Sequence, residues 1–180
     1  MIIHITGAPG SGKTTLGKKL SKIKKNNVII LDTDTIFDDF MFENKYKFSS
    51  VKYQKFLNNI IRKYKKKNII FVGLNMDKGH THKLYNLYST HNIYVDIDLE
   101  VLLERLFYRE VRQINANRKL IWRDYTNDPE GTCSKLVHNI DINELKKETK
   151  RFDIIYAKKG YQKMSIGDIK RFLRKIKLVK

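Results

Sequence analysis

The sequence predicts an α/β protein: a parallel sheet of five short strands with helices on both faces. Three observations carry this expectation. Short apolar runs at Met1–Thr6, Val28–Leu31, Ile69–Val72, Ile93–Asp98 and Phe152–Ala157 alternate with segments of helical periodicity. The first run passes straight into a glycine-rich turn, Gly7-Ala8-Pro9-Gly10-Ser11-Gly12-Lys13-Thr14, and then into a helix. Two carboxylates, Asp32 and Asp34, follow the second run, at the strand end where open parallel sheets bind ligands.

The first strand and its turn set the chemistry. A triphosphate needs several backbone N–H groups converging on its oxygens, and a loop wrapped over a helix N-terminus provides them together with the helix dipole. Gly7, Gly10 and Gly12 permit the close approach, and Ala8, Ser11 and Thr15 complete the cradle around the motif. Lys13 reaches the terminal phosphates, and the hydroxyl of Thr14 or of the next residue is placed to hold magnesium. Leu16, Gly17, Leu20 and Ile23 continue the helix to about Lys25.

At this loop the chain resembles the P-loop kinases, the group holding nucleoside monophosphate, shikimate, gluconate and polynucleotide 5′-kinases. The form GAPGSGKT is similar to that of the adenylate kinase branch. The resemblance implies a P-loop NTPase fold over 1–180 as one domain, strand order 2-3-1-4-5, a lid over roughly 109–150, and ATP with Mg²⁺ as cofactors.

Val28-Ile29-Ile30-Leu31 is too short for a helix and suits a buried strand. Phosphoryl transfer to a hydroxyl uses a carboxylate to orient or accept the proton and another to organise the metal's waters. By resemblance to shikimate kinase, Asp32 helps hold the metal through water and Asp34 faces the acceptor. A second reading makes Asp34 only the cap of a helix through Ile36, Phe37 and Phe40.

A further helix from Ser50 to Lys67 carries Tyr53, Phe56, Leu57, Ile60, Ile61 and Tyr64 as an apolar stripe. The third strand ends at Gly73-Leu74-Asn75, and Gly73 and Asn75 are candidate acceptor contacts, with plain turn residues as the alternative. Nucleoside monophosphate kinases usually carry Asp-Gly at this strand end. Val72-Gly73 here favours the branches that keep their acids after the second strand. His80, His82 and His91 have no acidic partner motif and read as surface histidines.

The fourth strand enters a helix on which Arg105, Arg109 and Arg112 share one face. Guanidinium groups suit the charge spread over a transferring phosphoryl. By resemblance to the lid-bearing helix, Arg105 and Arg109 are catalytic candidates and Arg112 a substrate contact; pairing with Glu104 and Glu110 is the alternative. Asn115–Lys150 resists reading beyond a turn at Asp128–Gly131 and a capping pattern from Asp141 to Glu144. After the fifth strand, Lys158 and Gly160 fall where related kinases hold the adenine. Ser165 and Asp168 then cap a last helix with Ile166, Ile169, Phe172, Leu173 and Ile176 facing inward.

Composition bounds what remains. A single cysteine, Cys133, excludes a disulfide framework and a cysteine metal site. No leader and no run of eighteen apolar residues is visible, so the expectation is a soluble cytoplasmic protein without membrane contact. The net charge of +18 invites nucleic acid as a partner, but it is mostly lysine, which AT-rich coding produces whatever the function. The expected activity is an ATP- and magnesium-dependent kinase acting on a small acceptor: a nucleoside, a nucleotide or another polar metabolite. Two alternatives stay open: a polynucleotide 5′-hydroxyl kinase, and a nucleotide-binding regulatory module with weak hydrolysis.

Overall fold

The structure is a computed structural model and describes residues 1–75, 84–139 and 141–180. Its centre is a five-stranded sheet of β1 (Ile2–Thr6), β2 (Val28–Asp32), β3 (Asn68–Val72), β4 (His91–Val95) and β5 (Gln162–Met164). All neighbours are parallel, and the spatial order is β2-β3-β1-β4-β5, the order that the resemblance to P-loop kinases implies. Eight helices accompany the strands among the described residues: α1 (Lys13–Ile23), α2 (Thr33–Glu43), α3 (Ser50–Lys63), α4 (Leu99–Ala116), α5 (Arg118–Asn127), α6 (Pro129–Asn139), α7 (Ile142–Lys158) and α8 (Ile166–Lys175).

Backbone contacts divide the chain into two units. The first comprises Met1–Gly7, Gly12–Asp96 and Ile155–Lys180; the second comprises Ala8–Ser11 and Ile97–Ile154.

In the first unit, side-chain alternation along each strand sorts the core into two layers. Ile3 and Ile5 of β1, paired in register with Ile70 and Val72 of β3, lie under Leu16 and Leu20 of α1 and Ile169 and Leu173 of α8. On the opposite face, Ile69 and Phe71 pack with Ile36 and Phe40 of α2 and Tyr53 and Leu57 of α3. His4 and Thr6 also point to this second face and are fully buried there. The chain end is fastened to α1: Lys25 N donates to Leu178 O at 3.1 Å, and Lys180 N donates to Ile23 O at 2.9 Å. In the second unit, Ala8, Leu102 and Leu106 form a small apolar centre, with Ile97 and Leu145 against it.

The expected fifth strand is in a different place. Phe152–Ala157 lies inside the 17-residue helix α7, and β5 is Gln162–Met164. A short apolar run does not distinguish strand from buried helix. Here Leu145, Thr149, Phe152 or Asp153, and Tyr156 turn inward at helical spacing, and Asp141 Oδ1 accepts from Asn143 N at 2.8 Å to start the helix. Consequently Lys158 ends α7, and Gly160 forms the turn before β5. Both stand at the amino end of that strand, not at its carboxyl end where an adenine site was expected. The residues following the carboxyl end of β5 are Ser165, Ile166 and Gly167.

Smaller boundaries shift as well. β4 stops at Val95, and Asp98 caps α4 by accepting from Glu100 N and Val101 N. α3 ends at Lys63, short of the expected Lys67. His80 and His82 lie outside the described residues, and His91 is exposed at the start of β4.

Candidate functional site

The glycine-rich loop leaves β1 at Thr6 and enters α1 at Lys13. Gly10 and Gly12 take φ of 82° and 88°, a left-handed conformation that side-chain-bearing residues avoid. Ser11 N donates to Ala8 O at 3.1 Å, closing the turn. Gly12 stands at the N-cap and gives α1 no side-chain cap, so the first-turn donors of this helix keep their affinity for an anion. Ser11 Oγ is buried with no partner, an orphan polar atom inside the loop. Lys13 is only 7% exposed, while Thr14 and Thr15 are exposed. Within the first unit, the uncapped start of α1 with Lys13 fits a bound phosphate.

The acids after β2 divide their roles. Asp32 is the N-cap of α2, its Oδ1 accepting from Asp34 N at 2.9 Å. This corrects the reading in which Asp34 caps the helix: Asp34 lies within the first turn, half-buried, with its carboxylate not committed to a cap. Burial raises the hydroxyl pKa of Tyr53, with Tyr85 and then Asp34 adding to the rise. Tyr156 is likewise raised by burial, with Asp34 adding to it and with Thr6 and the Asn75 backbone pulling the other way. Asp34 is thus near enough to both phenols for its charge to act on them.

Gly73 closes the carboxyl end of β3. Its φ is 131°, and a Cβ there would clash with Thr33 Oγ1. Thr33 is itself buried, its hydroxyl donating to Val72 O at 3.4 Å. Gly73→Ala combines a disfavoured backbone angle with a steric clash, and we expect it to destabilise the fold by about 2–4 kcal/mol. Urea unfolding checks this; a change below about 1 kcal/mol would show that Thr33 yields freely. Asn75 is buried, and its Nδ2 donates to Tyr85 O at 2.6 Å. That bond employs the donor the sequence offered to an acceptor.

In the second unit, α4 presents Arg105, Arg109 and Arg112 as exposed side chains. Arg109 donates to the single oxygen Glu110 Oε1 from both Nε at 3.1 Å and Nη2 at 2.9 Å. Arg112 Nε donates to Tyr108 O at 3.2 Å. Exposed pairs of this kind contribute little to stability, so both arginines remain available to a stronger anion. Arg105 borders a groove with Glu104, Tyr108, Val111 and Arg112.

The chain matches the AAA domain family over residues 3–123. It is 32% identical over 127 residues to a shikimate kinase of Clostridium botulinum (strain Okra / Type B1), which covers 66% of this chain and 70% of that protein. A second shikimate kinase, from the Loch Maree strain, is 31% identical over 132 residues, covering 69% and 73%. This chain is a P-loop kinase. It belongs to the group that holds the shikimate and gluconate kinases. Its fold is similar to the solved shikimate kinase of Bacteroides thetaiotaomicron, with TM-score 0.54, 16% identity, and 99% of each chain covered. The kinase acts on a small metabolite, and these relatives favour neither the polynucleotide kinase nor the regulatory-module alternative. Among the described residues no helix is long and apolar enough to cross a membrane.

Within its first unit the kinase brings Gly7, Gly12, Lys13, Thr14, Thr15, Asp32, Asp34, Gly73 and Asn75 to the carboxyl ends of β1, β2 and β3. Lys158 and Gly160 are at the other end of β5. One residue of this region escaped sequence reasoning. His4, in the middle of β1, is 0% exposed, with Nδ1 2.6 Å from Tyr161 Oη and Nε2 3.0 Å from Gly73 O. Its only local signal is a polar residue flanked by Ile3 and Ile5 in a buried strand.

Burial pushes the His4 imidazole down to about 4, partly offset by its bond to the Gly73 carbonyl. In the unfolded chain it takes up a proton near 6.5. Between these values the unfolded chain holds one more proton, so His4 stabilises the fold fully above pH 6.5 and loses that contribution as pH falls towards 4. We expect the kinase to lose about 2–3 kcal/mol more between pH 7 and 4.5 than His4→Gln does, as measured by urea unfolding. Parallel losses in the two proteins would contradict the depressed value.

Proposed function

We propose that the kinase moves the γ-phosphoryl group of ATP, supplied as its magnesium complex, onto a hydroxyl of a small polar metabolite. The observation that carries this is the pairing, at one end of the sheet and within one unit, of an uncapped helix bearing Lys13 with the half-buried carboxylate of Asp34. Lys13 holds the phosphoryl oxygens as charge builds on them. Asp34 accepts the hydroxyl proton as the acceptor oxygen bonds to the γ-phosphorus and the bond to the β–γ bridging oxygen breaks, releasing ADP. Thr14 and, through water, the second oxygen of Asp32 fit magnesium: one hydroxyl is exposed on the first helical turn, and only Oδ1 of the carboxylate serves as the cap. The ion offsets phosphate charge when bound. Arg105 and Arg109 are our candidates for the remaining charge, with Arg112 a candidate acceptor contact and 109–150 a candidate lid.

Shikimate leads the list of acceptors because it names the function of the relatives. The test is ATP consumption with magnesium in parallel reactions containing shikimate, sugar acids, nucleosides, nucleoside monophosphates and a 5′-hydroxyl oligonucleotide. Stimulation by one small molecule identifies the acceptor. Stimulation by the oligonucleotide alone, or by nothing, refutes the proposal.

A further inference from the structure

The buried His4 has two polar contacts and no place in the proposed reaction. Its partners reach far apart in sequence: Tyr161 precedes β5, and Gly73 ends β3. A carbonyl oxygen only accepts, so Nε2 is the donor to Gly73 O, and Nδ1 is left to accept from Tyr161 Oη. With the imidazole kept neutral by its burial, the two bonds select a single tautomer, Nε2–H. The Tyr161 ring stands edge-on to His4 with centroids 5.5 Å apart, and to Tyr156 at 4.9 Å, which holds the phenol in place.

What this bond restrains is the strand end bearing on Asp34. Gly73 N is already held by Ile5 O at 3.0 Å, so with His4 on the carbonyl the peptide groups on either side of its Cα are tied to β1. Thr33 sits where a Gly73 Cβ would be, and its hydroxyl reaches Val72 O. Asp34 is the next residue, and its backbone N–H is taken by Asp32. The Gly73 Cα, against which Thr33 is packed, thus lies between two peptide groups that are both tied to β1.

We propose that His4 is a positioning residue: through its Nε2–H bond to the Gly73 carbonyl, with Tyr161 fixing the tautomer, it sets the place of Thr33 and so of the Asp34 carboxylate. The kinetic part of this inference rests on the kinase reading above, in which Asp34 receives the acceptor proton. Displacing a reacting group by about 1 Å suffices for losses of up to roughly a hundredfold, so a buried tie two residues removed from the chemistry is enough to matter.

The test compares His4→Phe and His4→Gln in the full chain. Three quantities are read: the carboxyl-carbon signal of Asp34 by NMR, kcat and KM for the acceptor found above, and the affinity for magnesium ATP. Glutamine places an amide donor where Nε2 stands; phenylalanine fills the space without a donor. We expect His4→Phe to move the Asp34 signal and lower kcat about tenfold or more, with ATP affinity within about twofold, and His4→Gln to restore kcat to within about threefold. Equal impairment of the two variants, or an unmoved Asp34 signal in His4→Phe, would reduce His4 to packing and overturn the proposal. Should His4→Phe fail to fold, the imidazole nitrogen shifts of the wild-type chain decide: the proposal requires Nε2–H alone between pH 5 and 8, and an Nδ1–H tautomer rejects it. If no acceptor stimulates ATP consumption yet the Asp34 signal responds as stated, the kinase reading fails and the structural tie stands.

Discussion

Lys13→Ala is expected to lose phosphoryl transfer by about three orders of magnitude while the protein stays folded. The transferring group spreads negative charge over its oxygens, and a preorganised donor in a water-poor site contributes about 10²–10³ in rate by itself. Lys13 is 7% exposed at the start of α1, a helix whose first turn has no side-chain cap. Alanine is the best helix former, so α1 and its buried Leu16 and Leu20 remain in place. Steady-state transfer beside a thermal melt checks this. Activity within about tenfold of wild type, with an unchanged melt, would remove the loop from the chemistry.

Asp34→Asn is the second large effect: a drop of about 10²–10⁴ in transfer, with magnesium ATP affinity within about twofold. The structure separates this carboxylate from folding. Asp32, not Asp34, caps α2, so an amide at position 34 leaves the helix start intact. The companion substitution, Asp32→Ala, removes the cap and is expected to lower stability by about 0.5–2 kcal/mol. Calorimetric ATP binding with a transfer assay separates the two. An Asp34→Asn enzyme working within a few fold of wild type would reassign the proton acceptor.

Sequence reading located what local pattern determines. The strands at Ile2–Thr6, Val28–Asp32, Asn68–Val72 and His91–Val95 are each built on a short, mostly apolar run, and the loop between β1 and α1 carries its own spacing. It misplaced β5 because Gln162-Lys163-Met164 has almost no apolar signal: the strand exists through pairing with β4 and the bond from Asp96 N to Met164 O at 2.8 Å. Phe152–Ala157 read as a strand until the capping Asp141 and the inward spacing through Tyr156 extended a helix across it. In the site, Asp32 and Asp34 were visible as types, but which of them caps α2 depends on backbone geometry. His4 was invisible for a stronger reason, since its partner Tyr161 lies 157 residues away.

Trp122 is the sole tryptophan of the chain; it stands on α5 in the second unit, 67% exposed and stacked on Tyr125 at 5.9 Å. The rings of Phe37, Phe40, Phe48, Tyr53, Phe56 and Tyr85 form a separate aromatic group in the first unit. The chain thus carries an intrinsic optical label on one unit only. Fluorescence excited at the indole edge follows residues around α5, whereas circular dichroism follows the backbone as a whole. Overlaying the two melting curves tells whether the units come apart together or in sequence, without any label being added.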